Sequence, residues 1–129
     1  IGLRSRGAIV HNYADQWAAL LEADVFVTHH GLGSTHEAVA CAVPMLSLPF
    51  FWDQPALAKR TQEMGLALPL IDGVMPGQRL ESGAVRTALA QLLGQRGEMR
   101  QRLLAAREWE RRTIASRPEI ARQIIAIAG

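Results

Sequence analysis

The chain has 129 residues, 49% of them hydrophobic and 20% charged, with a formal net charge of +2. That composition supports a single buried core and excludes wholesale disorder, and no run approaches the ~18 apolar residues of a membrane span. The charge is unevenly placed: residues 1–93 carry six basic and eight acidic side chains, residues 94–129 eight Arg and four Glu. Arg and Glu are interspersed in that tail and aromatic residues are scarce, so the basic excess reads as solvated helix surface rather than a nucleic-acid footprint. The single cysteine, Cys41, lies in an apolar run and cannot form an internal disulfide, which fits a reducing, cytoplasmic setting. The first residues, Ile1-Gly2-Leu3-Arg4, show neither an initiator Met nor a signal-peptide core, so a portion of a longer protein is expected.

In chain order, Ala8-Ile9-Val10 is a short apolar run with the character of a strand. Ala14 to Glu22 reads as a helix, with Trp17, Leu20 and Leu21 at helical spacing. Val25-Phe26-Val27-Thr28 reads as a buried strand, and Ser34 to Cys41 as the next helix. Pro44 to Leu48 is a second buried strand stopped by Pro49. A helix is predicted from about Pro55 to Met64, with Pro55 suited to its first turn and Gly65 to its end. Ala67 to Ile71 is a short strand weakened by Pro69, and the turn-rich segment 72–77 separates it from an all-helical tail. Val85, Leu89, Leu92 and Leu93 form one apolar stripe of that tail; Met99, Leu103, Leu104 and Trp109 form another. Arg117-Pro118 is expected to break the helix before a last one carrying Ile120, Ile124 and Ile127.

Strands alternating with helices, and short buried strand runs that are mostly apolar, indicate an α/β fold with a parallel sheet. Three or four strands are too few for a complete doubly wound nucleotide-binding domain. The expected architecture is therefore a partial Rossmann-like parallel sheet, over residues 1–93, followed by a helical tail over 94–129.

The densest chemistry is the run Thr28-His29-His30-Gly31-Leu32-Gly33-Ser34-Thr35-His36-Glu37, which follows a strand and opens a helix. Glycines there let backbone N–H groups approach an anion, the helix start adds unpaired donors, and an imidazole adds one more. The combination is a phosphate cradle; its plain alternative is a tight turn capped by Ser34. It is neither a dinucleotide fingerprint, because His36 takes the third glycine position, nor a Walker loop. Metal binding by His29, His30 and His36 lacks a Cys or carboxylate at ligand spacing. A second polar point, Asp53-Gln54, follows the next strand and offers donors and acceptors suited to sugar hydroxyls, unless Asp53 simply caps the helix after it.

Together these segments resemble the donor-binding half of the two-domain GT-B glycosyltransferases, closest to the UDP-glycosyltransferase and macrolide glycosyltransferase family. That signature runs Trp-x-Pro-Gln, His-Gly-Gly-x-(Gly/Asn)-Ser, Glu, Gly-Val-Pro and Asp-Gln. Here it reads Tyr13-Ala14-Asp15-Gln16, His29-His30-Gly31-Leu32-Gly33-Ser34-Thr35, Glu37, Ala42-Val43-Pro44 and Asp53-Gln54, without a gap. Pro49 to Pro55 also looks like the related sterol glucosyltransferases.

The resemblance implies that Tyr13 stacks on a nucleobase whose edge pairs with the Ala14 backbone. Gln16 and Glu37 then bind the ribose, and His29, Gly31, Gly33, Ser34 and Thr35 surround the diphosphate. Asp53 and Gln54 hold the transferred sugar. It further implies inverting transfer of a hexose from UDP or TDP to a small-molecule hydroxyl. The acceptor and the catalytic base belong to an N-terminal domain or subunit, so no catalytic residue is assigned in this chain, and neither metal nor cofactor is required. A partner-dependent donor-binding subunit and a UDP-sugar epimerase of the same fold are the alternatives. Asp15 for Pro, His30 for the first glycine of His-Gly-Gly and Ala42 for the glycine before Val-Pro depart from the pattern.

Overall fold

The computed structural model describes residues 7–70 and 80–128. Helix α1 (Gln16–Glu22) leads to strand β1 (Phe26–Thr28), helix α2 (Leu32–Cys41) and strand β2 (Met45–Ser47). Helix α3 (Gln54–Glu63), strand β3 (Ala67–Pro69) and the long helix α4 (Ser82–Ala128) complete the order. The three strands form a parallel sheet in the order β1-β2-β3, with Phe26 opposite Met45 and Met45 opposite Ala67. This is the α/β fold expected from the alternation of strands and helices.

β2 is the central strand and the only one of the three buried at every position. Successive residues of a strand point to opposite faces, and Met45 and Leu46 accordingly seed two separate cores. Met45 packs with Ala38, Val39 and Ala42 of the α2 side and with Leu103 of α4. Leu46 packs with Leu70 and with Ala88, Leu92 and Met99 of α4. The four buried α4 residues, Ala88, Leu92, Met99 and Leu103, are spaced at helical intervals, so one continuous helix closes both cores. Leu93 and Trp109, counted in the apolar stripes by sequence, instead face solvent at 44% and 63% exposure.

Several boundaries move for local reasons. α1 begins after Asp15, whose carboxylate accepts the Ala18 N–H at 3.1 Å and so caps the helix. α2 begins at Leu32, two residues earlier than expected, so Ser34 lies inside its first turn and Gly31 is the cap. Pro69 is accommodated because β3 is an edge strand, where a missing N–H leaves no sheet bond unmade. Gly65 turns the chain out of α3 at φ +69°.

Two expectations fail. Ala8–Val10 is not a strand: Ile9 and Val10 are 79% and 63% exposed, and no neighbouring strand among the described residues pairs with them. Three apolar residues cannot hold an extended ladder without a partner. Nor does Pro118 break the tail, because α4 runs through it to Ala128. Proline removes the bond to the Ile114 carbonyl, but residues 111–127 are all exposed, so water reaches that carbonyl. The Glu119–Arg122 pair at 2.8 Å supports the helix just beyond it. The turn-rich segment 72–77 and Ile71 lie outside the described residues.

Candidate functional site

In a parallel sheet the loops leaving the C-terminal strand ends share one edge, and ligands of open α/β sheets bind there. The loops after β1 (residues 29–31) and β2 (residues 48–53) share that edge here. They are stitched together: the Leu48 N–H donates to the Thr28 carbonyl at 2.8 Å, and the His30 Nε2 lies 2.7 Å from the Ser47 hydroxyl.

The β1–α2 turn is built around His30. Its backbone is left-handed (φ +61°), a conformation that costs an L side chain energy. The Thr28 hydroxyl accepts the His30 N–H at 3.1 Å and holds the turn. The imidazole is completely buried, between Ser47 on one nitrogen and the Thr35 hydroxyl, 3.4 Å from the other. Burial, reinforced by the neighbouring His29, lowers its pKa to about 4, so the ring is neutral at physiological pH. His30 therefore packs inward, while its backbone holds a left-handed conformation of the kind that glycine adopts most readily.

Ala42, at the other glycine departure, is also left-handed, at φ +56° where it ends α2. Both non-glycine residues therefore hold left-handed backbone at the cost of strain. No motif in the sequence marks Ser47 as the partner of His30. The available signal was a lone hydroxyl in the apolar run Met45-Leu46-Ser47-Leu48.

His29 remains exposed, and its ring sits over the start of α2: a Cβ built on Gly31 would come 3.1 Å from His29 Nε2. The first intrahelical bond of α2 is Thr35 N–H to the Gly31 carbonyl at 2.9 Å, so the amides of Leu32, Gly33 and Ser34 precede the ladder. Gly33 is exposed, with nothing within 4 Å of a Cβ placed there. Open backbone, free amides, the positive helix end and an imidazole converge on one spot and can accept an anion. The Thr35 hydroxyl is directed inward, donating to the Gly31 carbonyl at 3.0 Å.

α1 brings a second group to the same helix. The Gln16 amide nitrogen donates to the Glu37 carboxylate at 2.7 Å and to the Ser34 hydroxyl at 3.1 Å. Gln16, Ser34 and Glu37 are thus one hydrogen-bonded cluster that adjoins the anion cradle at Ser34 and reaches the second turn of α2 at Glu37. Tyr13 and Ala14 lie exposed just ahead of the α1 cap, with Tyr13 at 88%. No side-chain hydrogen bond among the described residues ties them to that cluster.

After β2, Gln54 is buried and its carbonyl oxygen accepts the Phe50 N–H at 3.0 Å and the Phe51 N–H at 3.4 Å. That fixes the loop and leaves the amide nitrogen without a protein acceptor among the described residues. Asp53 caps α3 only through its backbone: its side chain makes no capping bond and is exposed. The cap alternative for its carboxylate is therefore not realised. Among the described residues no group of three His, Cys, Asp or Glu is placed to hold a metal ion. None of the described helices is long and apolar enough to cross a membrane.

Comparison with known proteins matches residues 13–127 to the family described as erythromycin biosynthesis protein CIII-like, C-terminal domain. The chain belongs to this family. It is similar to the oleandomycin glycosyltransferase of Streptomyces antibioticus, with 43% identity over 61 residues, 47% of this chain and 14% of that protein. A zeaxanthin glucosyltransferase of Pseudescherichia vulneris is 36% identical over 103 residues, 77% of this chain and 22% of the relative. Among solved structures, the glycotransferase of kitacinnamycin superposes with a TM-score of 0.75 at 32% identity, over 89% of this chain and 29% of that one. The chain matches less than a third of the length of each of these proteins. These matches bear out the glycosyltransferase resemblance and the expected partial GT-B sheet, and the matched region includes most of α4.

Proposed function

We propose that this chain is the donor-binding part of a glycosyltransferase that moves a hexose from UDP or TDP to a small-molecule hydroxyl, with inversion at the anomeric carbon. The observation that carries this reading is the convergence at the start of α2: three free amides, the His29 ring over Gly31, and the Gln16–Glu37 pair beside them. The amides and His29 meet the diphosphate, and Gln16 with Glu37 offers an acceptor and a donor to the vicinal hydroxyls of a ribose. Tyr13 supplies the exposed aromatic face for the base and the Ala14 backbone its edge contacts. Thr35 acts by holding Gly31 in place, and Gln54 offers its amide nitrogen beside the Asp53 carboxylate to the sugar.

In the reaction, the acceptor oxygen attacks the anomeric carbon as the bond to the diphosphate breaks. Negative charge grows on the leaving phosphate, where the α2 start and His29 are placed to stabilise it. Protein donors carry that charge, so the reading calls for no metal ion. The acceptor and the base that deprotonates it belong to an N-terminal domain or subunit. Titration calorimetry with UDP and TDP tests the site: one of the two binds, and His29→Ala and Glu37→Ala each weaken it about tenfold. A folded sample that binds neither nucleotide overturns the proposal.

A further inference from the structure

We propose that Trp52 is a specificity-determining residue of this site, an aromatic platform for the apolar face of the transferred hexose. The inference rests on the donor-site proposal above and concerns a residue to which the signature assigns no role. Trp52 is left-handed at φ +57° and 89% exposed. A bulky side chain in that region is a steric outlier that glycine would relieve, and such strain gathers at ligand sites. Packing does not account for it, since so exposed an indole contributes little to the core.

The loop that carries it is nonetheless built to hold it. The Gln54 carbonyl oxygen accepts the Phe50 and Phe51 N–H groups, and the Phe51 ring meets the indole edge-on, with centroids 5.0 Å apart at 77°. The next residue is Asp53, with its uncommitted carboxylate, and the loop leaves β2 at the sheet edge occupied by the α2 start and His29. A pyranose has two kinds of surface, a rim of hydroxyls and a face of C–H bonds. Asp53 and the Gln54 amide suit the rim, and an exposed indole suits the face.

The test separates sugar from nucleotide. Calorimetry compares UDP with UDP-glucose, and TDP with TDP-glucose, on the wild-type chain, Trp52→Gly and Trp52→Phe. For Trp52→Gly the nucleotide diphosphate affinity stays within about twofold while the nucleotide-sugar affinity falls about 3- to 10-fold. Trp52→Phe, which keeps an aromatic face, recovers most of that loss. Thermal unfolding of Trp52→Gly shows an unchanged or raised midpoint, because the strained backbone relaxes. Equal changes for diphosphate and sugar nucleotide, or none for either, overturn the platform while leaving the donor site standing. A wild-type chain that binds neither diphosphate nor sugar nucleotide instead removes the donor site, and the platform with it.

Discussion

The buried imidazole of His30 makes the fold sensitive to acid in a calculable way. Its ordinary pKa is 6.5 and the folded value is about 4, chiefly because burial disfavours the charged ring. Between those values the unfolded chain holds a proton that the folded chain does not. Stability from this group is therefore fully present above about pH 6.5 and drains away as the pH falls towards about 4. The gap corresponds to about 3 kcal/mol in the limit, and to about 2.5 kcal/mol between about pH 7.5 and pH 4.5. His30→Asn isolates this contribution: Asn tolerates the left-handed backbone and does not titrate. At neutral pH the variant is expected to be about 2 kcal/mol less stable, because the Ser47 hydroxyl, 2.7 Å from the ring, loses its partner. Urea unfolding followed by circular dichroism at both pH values gives the four free energies. Contributions from parts of the protein that do not touch His30 are common to both proteins and cancel in the difference. The stability gap between wild type and variant should close, or reverse, at the lower pH. Curves that fall in parallel would refute the account of His30 as a buried neutral ring.

Other outcomes follow from single contacts. Glu37→Gln keeps the side-chain shape but removes the charge beside Gln16, so nucleotide affinity is expected to fall about tenfold in calorimetry with no change in unfolding midpoint. Gly65→Ala, at φ +69° and with its new methyl 2.9 Å from Arg102 Nη1, is expected to lose about 1–2 kcal/mol in urea unfolding. Adding Arg102→Ala should restore little of it, because the strain is in the backbone; full recovery would mean that the side-chain clash was the cause. Pro118→Ala restores a backbone bond inside α4 and is expected to slow amide exchange around residues 114–122, by up to about 3 kcal/mol of local opening energy. Unchanged exchange there would show that the helix does not depend on that bond.

Much of the site was legible because it is local in sequence. The strand, the turn and the first two turns of α2 lie within a dozen residues, and their glycines, hydroxyls and imidazoles have meanings set by neighbours in the chain. The signature placed Gln16 and Glu37 in one site, and the structure joins them at 2.7 Å. What could not be read was direction. Adjacent histidines look alike in a sequence; His30 is buried on Ser47 of the next strand while His29 stays exposed over Gly31. Leu93 and Trp109 match helical periodicity as well as Leu92 does. Only the position of the sheet leaves them outside.

By itself, then, the sequence determined the alternation of strands and helices, the parallel sheet and the residues gathered at its edge. Those follow from spacing, local propensity and turn chemistry, which act over a few residues. Tertiary structure decided which polar side chains stay free for a ligand and which are consumed by the fold. It also decided that His30, Ala42 and Trp52 carry left-handed backbone and that α4 continues through Pro118. The reason is physical. Strain or a lost hydrogen bond worth roughly 1–3 kcal/mol is settled by contacts from elsewhere in the chain, or by their absence. Ser47 reaches His30 across 17 residues, whereas among the described residues nothing packs on the far end of α4 to force a break at Pro118.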